Sequence, residues 1–308
     1  MADQNIIVMV DWRGVFPAMT TKFDAQNALD LAMFEHSLKA QMAAGVHGII
    51  LGGTLGEAST LSPDEKELLV KTSLEVTQGQ LPVILNIAEG STTEAIHQVN
   101  LAKKWGAHGL MVLPPMRYKP DHRECVAYFA SIAKSTDLPI MIYNNPVDYK
   151  TEVTISMMEE LLAYPNIQAV KESTRDITNV TKLKTLFGAR LKVLCGVDTL
   201  AMEALVMGAD GWVAGLVCAY PRETVYLYQL ILSGKLTEAV ELYRWFMPLL
   251  ELDLHPKLVQ YIKLAETIEG IGSEYVRPPR LSLVGDERER ILHLIQEANK
   301  MKSDLLKV

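Results

Sequence analysis

Short apolar runs recur along the chain, apolar at successive rather than alternate positions, and between them lie longer stretches with helical spacing such as PDEKELLVKTSLEVT. Three of the runs open with the same phrase: Ala44-Gly45-Val46-His47-Gly48-Ile49-Ile50, Gly106-Ala107-His108-Gly109-Leu110-Met111-Val112 and Gly208-Ala209-Asp210-Gly211-Trp212-Val213. The first glycine suits a left-handed helix C-cap and the second the start of a strand, so each phrase marks a helix-to-strand boundary. Five further runs, Gly14 to Met19, Pro82 to Asn86, Pro139 to Tyr143, Ile167 to Lys171 and Lys192 to Gly196, bring the number to eight. Strands apolar on both faces and separated by amphipathic helices predict buried parallel pairing with crossover connections. Eight such units predict an α/β fold, a (β/α)₈ TIM barrel, over residues 1–222. The rival is a doubly wound open sheet, but no G-x-G-x-x-G follows the first strand. From about Glu223 the pattern turns to helical periodicity without strand-like runs, which predicts a C-terminal helical extension over residues 223–308.

Composition narrows the class. With 49% hydrophobic residues in 308 the chain can bury a large core, and a net charge of −7 without basic clusters argues against nucleic acid as a partner. Cys125, Cys195 and Cys218 are too few and too scattered for a disulfide framework, which fits a reducing compartment. The N-terminal MADQNIIVMVDWRG lacks a signal-peptide pattern, and no stretch sustains the ~18 apolar residues of a membrane span. The expectation is a soluble, cytoplasmic protein without membrane contact. The seven histidines show no ligand-like spacing, so no metal is expected. Arg277-Pro278-Pro279-Arg280 reads as a rigid turn with solvated charges, and Trp245, Phe246, Met157 and Met158 as packing residues or subunit contacts.

A barrel gives special meaning to the C-terminal ends of its strands, where such folds place their chemistry. Lys171 closes the run IQAVK, and a strand of period two puts Ile167, Ala169 and Lys171 on one face. Apolar neighbours disfavour the charged amine, and a neutral amine attacks carbonyl carbon to form a Schiff base. Alone, such a lysine is more often a solvated strand end. Tyr143, in YNNP at the end of the preceding strand, adds a phenol able to shuttle protons during imine formation, or else a core tyrosine. The turn Gly52-Gly53-Thr54-Leu55-Gly56-Glu57 enters a helix with exposed backbone N–H groups, an anion site suited to a carboxylate. Glu57 and Glu172 read as capping carboxylates.

Taken together, GTLGE, YNNP and KEST, with RGVFPAMTTKFD, the Gly196-Val197-Asp198 turn and GWVAGL, resemble the dihydrodipicolinate synthase and N-acetylneuraminate lyase superfamily over essentially the whole chain. The resemblance implies a barrel with C-terminal helices, commonly a homotetramer built as a dimer of dimers, and no cofactor. It implies Lys171 as the Schiff-base lysine, Tyr143 as proton relay and Thr54 as a hydroxyl between relay and substrate carboxylate. It further implies a substrate-binding set of Gly53, Leu55, Gly56, Tyr118, Asn145, Gly196, Asp198 and Val213, acting on a small 2-oxo or cyclic 2-imino acid.

Departures from the family pattern bear on the substrate. Leu55 stands where a second hydroxyl residue is frequent, and Asp148 where the synthases carry an arginine for the carboxylate of aspartate semialdehyde. LPPMRYKP lacks their paired tyrosines, with Tyr118 as the expected substitute. LPPMRYKP, CGVDTLAMEAL, RWFMPLL and KLVQYIKLAE are instead similar to the branch of Δ1-pyrroline-4-hydroxy-2-carboxylate deaminases of hydroxyproline breakdown. Alternatives are an aldolase or dehydratase of 2-keto-3-deoxy sugar acids or N-acetylneuraminate, a 4-hydroxy-tetrahydrodipicolinate synthase, and an inactive barrel that binds keto acids or regulates.

Overall fold

The protein is described by a computed structural model over residues 8–115 and 117–305. Residues 1–7, which carry part of the N-terminal leader reading, and Met116 of LPPMRYKP lie outside the described residues. Eight strands, β1 (Gly14–Pro17), β2 (Ile49–Leu51), β3 (Val83–Ile87), β4 (Gly109–Val112), β5 (Ile140–Asn144), β6 (Ile167–Glu172), β7 (Lys192–Cys195) and β8 (Gly211–Ala214), all pair in parallel. From β2 to β8 each strand pairs with the next in sequence, β1 pairs with β8, and an isolated parallel bridge from Ala18 to Ile50 closes the ring between β1 and β2. This is the TIM barrel expected from the eight apolar runs, and every run supplies one strand. The strands are almost wholly buried because their inner faces fill the barrel and their outer faces meet the helix ring.

The helices are α1 (Leu31–Ala44), α2 (Pro63–Thr77), α3 (Thr92–Trp105), α4 (His122–Ser135), α5 (Pro146–Tyr149), α6 (Ile155–Leu161), α7 (Ile177–Phe187), α8 (Ala201–Val206), α9 (Pro221–Leu232), α10 (Leu236–Leu250), α11 (Leu258–Ile268) and α12 (Gly285–Leu305). Local sequence explains their starts. Ser62 and Glu65 form a reciprocal capping box before PDEKELLVKTSLEVT, with Pro63 at the first helical position. α9 packs against α1 and β1 and so completes the ring, and the expected border at 222/223 falls in its first turn. Beyond it, α10 to α12 lie against one another; Trp245 and Phe246 stack at 5.3 Å, and the Trp245 indole donates to the carbonyl of Ala298 on α12. These aromatics are packing within the chain.

The repeated phrase has a structural role beyond its glycines. Gly106 caps α3 with φ +95°, a conformation strained for any side chain, and at Gly211 a Cβ would lie 2.5 Å from the carbonyl of Gly14. Between them, the polar residue reaches across to the preceding run. His47 Nδ1 accepts from Val15 N, His108 Nδ1 from Val83 N, and Asp210 Oδ2 from Val193 N, at 3.1, 3.0 and 3.0 Å. Three side chains of two chemical kinds thus satisfy the same orphan backbone donor near the start of a barrel strand. Burial lowers the pKa of both histidines, consistent with their serving as neutral acceptors.

Arg277 is not the solvated charge expected. It pairs with Glu65 through both terminal nitrogens at 2.9 and 2.8 Å, donates to the carbonyls of Thr60 and Asn27, and lies 4.1 Å from the Phe23 ring centroid. Planar guanidinium geometry allows all of these at once, and the result ties the segment before α12 to the loop between β2 and α2. Among the described residues, no helix is long and apolar enough to cross a membrane.

Candidate active site

A cavity of about 320 Å³ opens at the C-terminal ends of the strands. Lys171, the penultimate residue of β6, and Tyr143, the penultimate residue of β5, face each other in register across the strand pair. The Lys171 amine stands 4.1 Å from the centroid of the Tyr143 ring, and both residues are buried. A β-bulge intervenes in the strand below: Ile140 pairs with Ile167 but Met141 with Ala169, leaving Gln168 to accept from the Trp12 indole. The period-two reading therefore holds from Ala169 onward, which still aims Lys171 into the cavity.

Gly196, after β7, makes the space for that lysine. A Cβ there would lie 2.6 Å from Lys171 Cγ, 2.7 Å from Cε and 2.1 Å from Ser173 Oγ. At the strand ends Glu172 accepts from the Thr174 amide at 2.8 Å and from Asn179 at 2.8 Å, which pins the backbone next to Lys171. The YNNP motif also has a local logic. Asn145 caps the single-turn α5, accepting from Asp148 N, with Pro146 at the first helical position. Its amide nitrogen donates to the Tyr143 hydroxyl at 3.1 Å and to Asp148 at 2.8 Å.

That turn of helix returns Tyr149 to the cavity. Its hydroxyl hydrogen-bonds to Thr54 Oγ1 at 2.5 Å, and its ring meets Tyr143 edge-on at 5.6 Å. The partner of Thr54 is thus Tyr149, a residue the sequence reading passed over. The only sequence signal was its place three residues after Pro146, one helical turn from the N-cap. Tyr118, expected as the substitute for paired tyrosines of which one crosses to the neighbouring subunit in the synthases, is 56% exposed and does not line the cavity of its own chain.

Gly53, Thr54, Leu55, Asn145, Gly196 and Val213 do line the cavity. Among the described residues, the backbone N–H groups of Thr54 and Leu55 find no protein acceptor, whereas those of Glu57 and Ala58 turn back to the carbonyls of Thr54 and Gly53. Gly56 lies behind the wall: its carbonyl accepts from Thr21, and a Cβ would press on Gly52 N at 3.0 Å. Asp198 is also behind the wall, fully buried and accepting from the Trp212 indole and from the amides of Gly215 and Leu216. These bonds join the loop after β7 to the loop after β8. Asp253, from the C-terminal extension, does reach the cavity and was missed, because no barrel periodicity points to it.

Electrostatics follow from this packing. Burial lowers the pKa of Lys171, with Asp253, Tyr149 and Asp198 pulling the other way. Desolvation outweighs that attraction, so the amine is more easily neutral than a free lysine. Burial pushes the Tyr143 and Tyr149 phenols up to about 12 each, leaving both protonated at neutral pH. A buried amine beside two phenols that keep their protons can bond to an electrophilic carbon and move protons around it. Among the described residues, no three His, Cys, Asp or Glu side chains are grouped to hold a metal ion.

The dihydrodipicolinate synthetase family model matches residues 11–298. A 4-hydroxy-tetrahydrodipicolinate synthase of Exiguobacterium sibiricum is 32% identical over 94% of this chain and 98% of its own. The dihydrodipicolinate synthase structure from Thermotoga maritima superposes with a TM-score of 0.88 at 29% identity, over 96% of this chain and 99% of that one. That of DapA-2 from Bacillus anthracis gives 0.90 at 26% identity, over 94% and 99%. With the family pattern spanning nearly the whole chain and the barrel superposing throughout, the protein belongs to the dihydrodipicolinate synthetase family of Schiff-base lyases.

Proposed function

We propose that this protein forms a Schiff base between Lys171 and the C2 carbon of a small 2-oxo or cyclic 2-imino acid, and that its substrate is Δ1-pyrroline-4-hydroxy-2-carboxylate. The carrying observation is the buried Lys171 amine above the Tyr143 ring inside the cavity. The amine adds to C2 of the ring imine, and the ring C2–N bond then breaks to leave a lysine imine with a free amine at C5. Tyr143 serves as the proton relay: loss of a C3 proton gives the enamine, whose electron pair expels the 4-hydroxyl as water once a proton is delivered to it. Proton shifts turn the resulting alkene and C5 amine into a C5 imine. Hydrolysis of that imine and of the lysine imine takes up two waters and releases ammonia, 2-oxoglutarate semialdehyde and free Lys171. The balance is one water consumed and one ammonia produced.

Thr54 positions the relay through Tyr149, and the free amides of Thr54 and Leu55 take the substrate carboxylate. Asp148 at the cavity wall supports this substrate over aspartate semialdehyde, whose carboxylate it repels. The names of the relatives favour a second reading, 4-hydroxy-tetrahydrodipicolinate synthesis from pyruvate and aspartate semialdehyde. The dimer-of-dimers tetramer and the cytoplasmic location belong to the same proposal and rest on the family likeness. The test is to assay purified protein with hydroxypyrroline carboxylate, keto-deoxy sugar acids, N-acetylneuraminate, and pyruvate plus aspartate semialdehyde. Ammonia release from the first alone is expected. Turnover of the last pair alone would replace the substrate assignment by the second reading.

A further inference from the structure

Asp253 enters the cavity from outside the barrel. It lies on the 3₁₀ turn Glu251–Leu254 between α10 and α11, where Leu252 is buried and Leu254 is exposed, so packing of the leucine fixes the direction of its neighbour. The carboxyl sits directly over Gly215, after β8: a Cβ there would lie 2.2 Å from Asp253 Oδ1 and 3.0 Å from a methyl of Leu55. Neither glycine position could carry a side chain in this wall, since Gly196 accommodates Lys171 and Gly215 accommodates Asp253. Among the described residues no group hydrogen-bonds to the Asp253 carboxyl; the groups that act on it, Asp198, Lys171, Asp148 and Arg175, do so through charge alone. Asp198 makes the contrast, since its oxygens are taken up by the Trp212 indole and the amides of Gly215 and Leu216. The Asp253 carboxyl is half-buried and faces the cavity without a protein partner among the described residues, and packing gives no reason for it.

We propose that Asp253 determines the specificity of this site, its carboxyl binding a hydroxyl or amino group that the substrate carries beyond the carbon joined to Lys171. The inference rests on the Schiff-base reading above and narrows its substrates to hydroxylated or aminated 2-oxo and 2-imino monocarboxylic acids. An ionised carboxyl accepts from either group, and a protonated one also donates, but a second carboxylate at this place meets a like charge or lacks a cation. Burial, with Asp198 nearby, raises the pKa of Asp253 well above the usual carboxylate range, which favours the protonated form more than in a free carboxylate. Arg175 is the competing feature, because it also lines the cavity and attracts carboxylates. Its guanidinium is 3.9 Å from Asp148, which partly neutralises it, and it acts on Asp253 more weakly than Asp198, Lys171 or Asp148 does.

The test uses the full chain and borohydride trapping at Lys171, read by mass spectrometry, with 2-oxobutanoate, 4-hydroxy-2-oxobutanoate and 2-oxoglutarate as probes. Wild type is expected to reach half-maximal labelling at ~10-fold lower concentration with the 4-hydroxy acid than with 2-oxobutanoate, and to label poorly with 2-oxoglutarate. In Asp253→Leu the preference for the hydroxyl should fall to within about threefold. In the near-isosteric Asp253→Asn, which keeps hydrogen bonding but loses the acid, much of that preference should survive while 2-oxoglutarate labels better. Circular dichroism of both variants confirms the fold. Labelling of wild type with selectivity unchanged in both variants overturns the role of Asp253 alone. If none of the three acids labels wild type, the Schiff-base reading itself falls, and this inference with it.

Discussion

The amine of Lys171 has its reactivity set by a few atoms around it. Removal of Cβ space is one determinant: Gly196→Ala places a methyl 2.6 Å from Lys171 Cγ and has to displace the lysine. Lys171→Ala should lower turnover on the order of 10³-fold or more and abolish borohydride trapping while leaving the fold intact. Gly196→Ala should lower trapping without removing the nucleophile, a distinction that mass spectrometry of the adduct makes. Tyr143→Phe should leave slow residual turnover, reduced about 10²- to 10³-fold, as expected for loss of a general acid–base group. Tyr149→Phe removes the partner of Thr54 and should cost about tenfold in kcat; an unchanged kcat would exclude Tyr149 from the relay. The depressed pKa of Lys171 also has a kinetic sign. Imine formation should rise with pH and level off at lower pH than the amine of an ordinary lysine would allow, measured as the trapping rate against pH.

Strands and their connections show how a barrel unit is built from a repeated phrase. In two units a histidine, and in the third Asp210, accepts the backbone N–H near the start of the preceding strand. His108→Ala leaves the N–H of the buried Val83 without its acceptor and should cost about 1–2 kcal/mol in chemical denaturation. The lowered pKa of His108 adds a pH dependence. As pH falls through the ordinary histidine range near ~6.5, the unfolded chain binds protons that the folded one resists, so stability falls; well above that range both states are neutral and nothing is lost. His108→Asn keeps an acceptor but cannot titrate, and its melting temperature should drop less than that of wild type between pH 7.5 and 5.5, taken as about one unit either side of that range. An equal drop would assign the acid sensitivity to other groups.

Across the whole molecule, the C-terminal extension does more than cover the barrel. Two fully buried ion pairs, Lys263 with Glu57 at 2.5 Å and Lys22 with Glu266 at 2.6 Å, join α11 to the loops after β1 and β2. Glu57 also accepts from the Arg277 amide at 3.0 Å, and Thr20 donates to Glu266 at 2.8 Å. The glycine-rich turn with the free amides of Thr54 and Leu55 is therefore anchored by residues some two hundred positions away. Lys263→Met takes the buried ammonium from Glu57, leaving it the Arg277 amide and the Arg280 guanidinium at 3.9 Å, and should cost about 3 kcal/mol in urea denaturation, because a buried charge loses its nearest partner. Replacing Lys263 and Glu57 together by apolar residues of similar size should recover most of that loss, whereas no recovery would show that the pair is not coupled.

Periodicity and turn chemistry are local, so the sequence by itself determined the eight strands, the repeated helix-to-strand joints and the barrel that follows from them. The same locality made Lys171 and Tyr143 legible, since each closes an apolar strand and the fold sends strand ends to one mouth. What the tertiary structure alone decided are relations between distant segments: Tyr149 beside Thr54, Asp198 committed to joining two loops, Arg277 paired rather than solvated, and Asp253 carried into the cavity by the extension. No pattern of alternating residues encodes such meetings. They arise when packing of the extension against the barrel fixes where side chains end, and that placement depends on the summed burial of many residues rather than on any one motif.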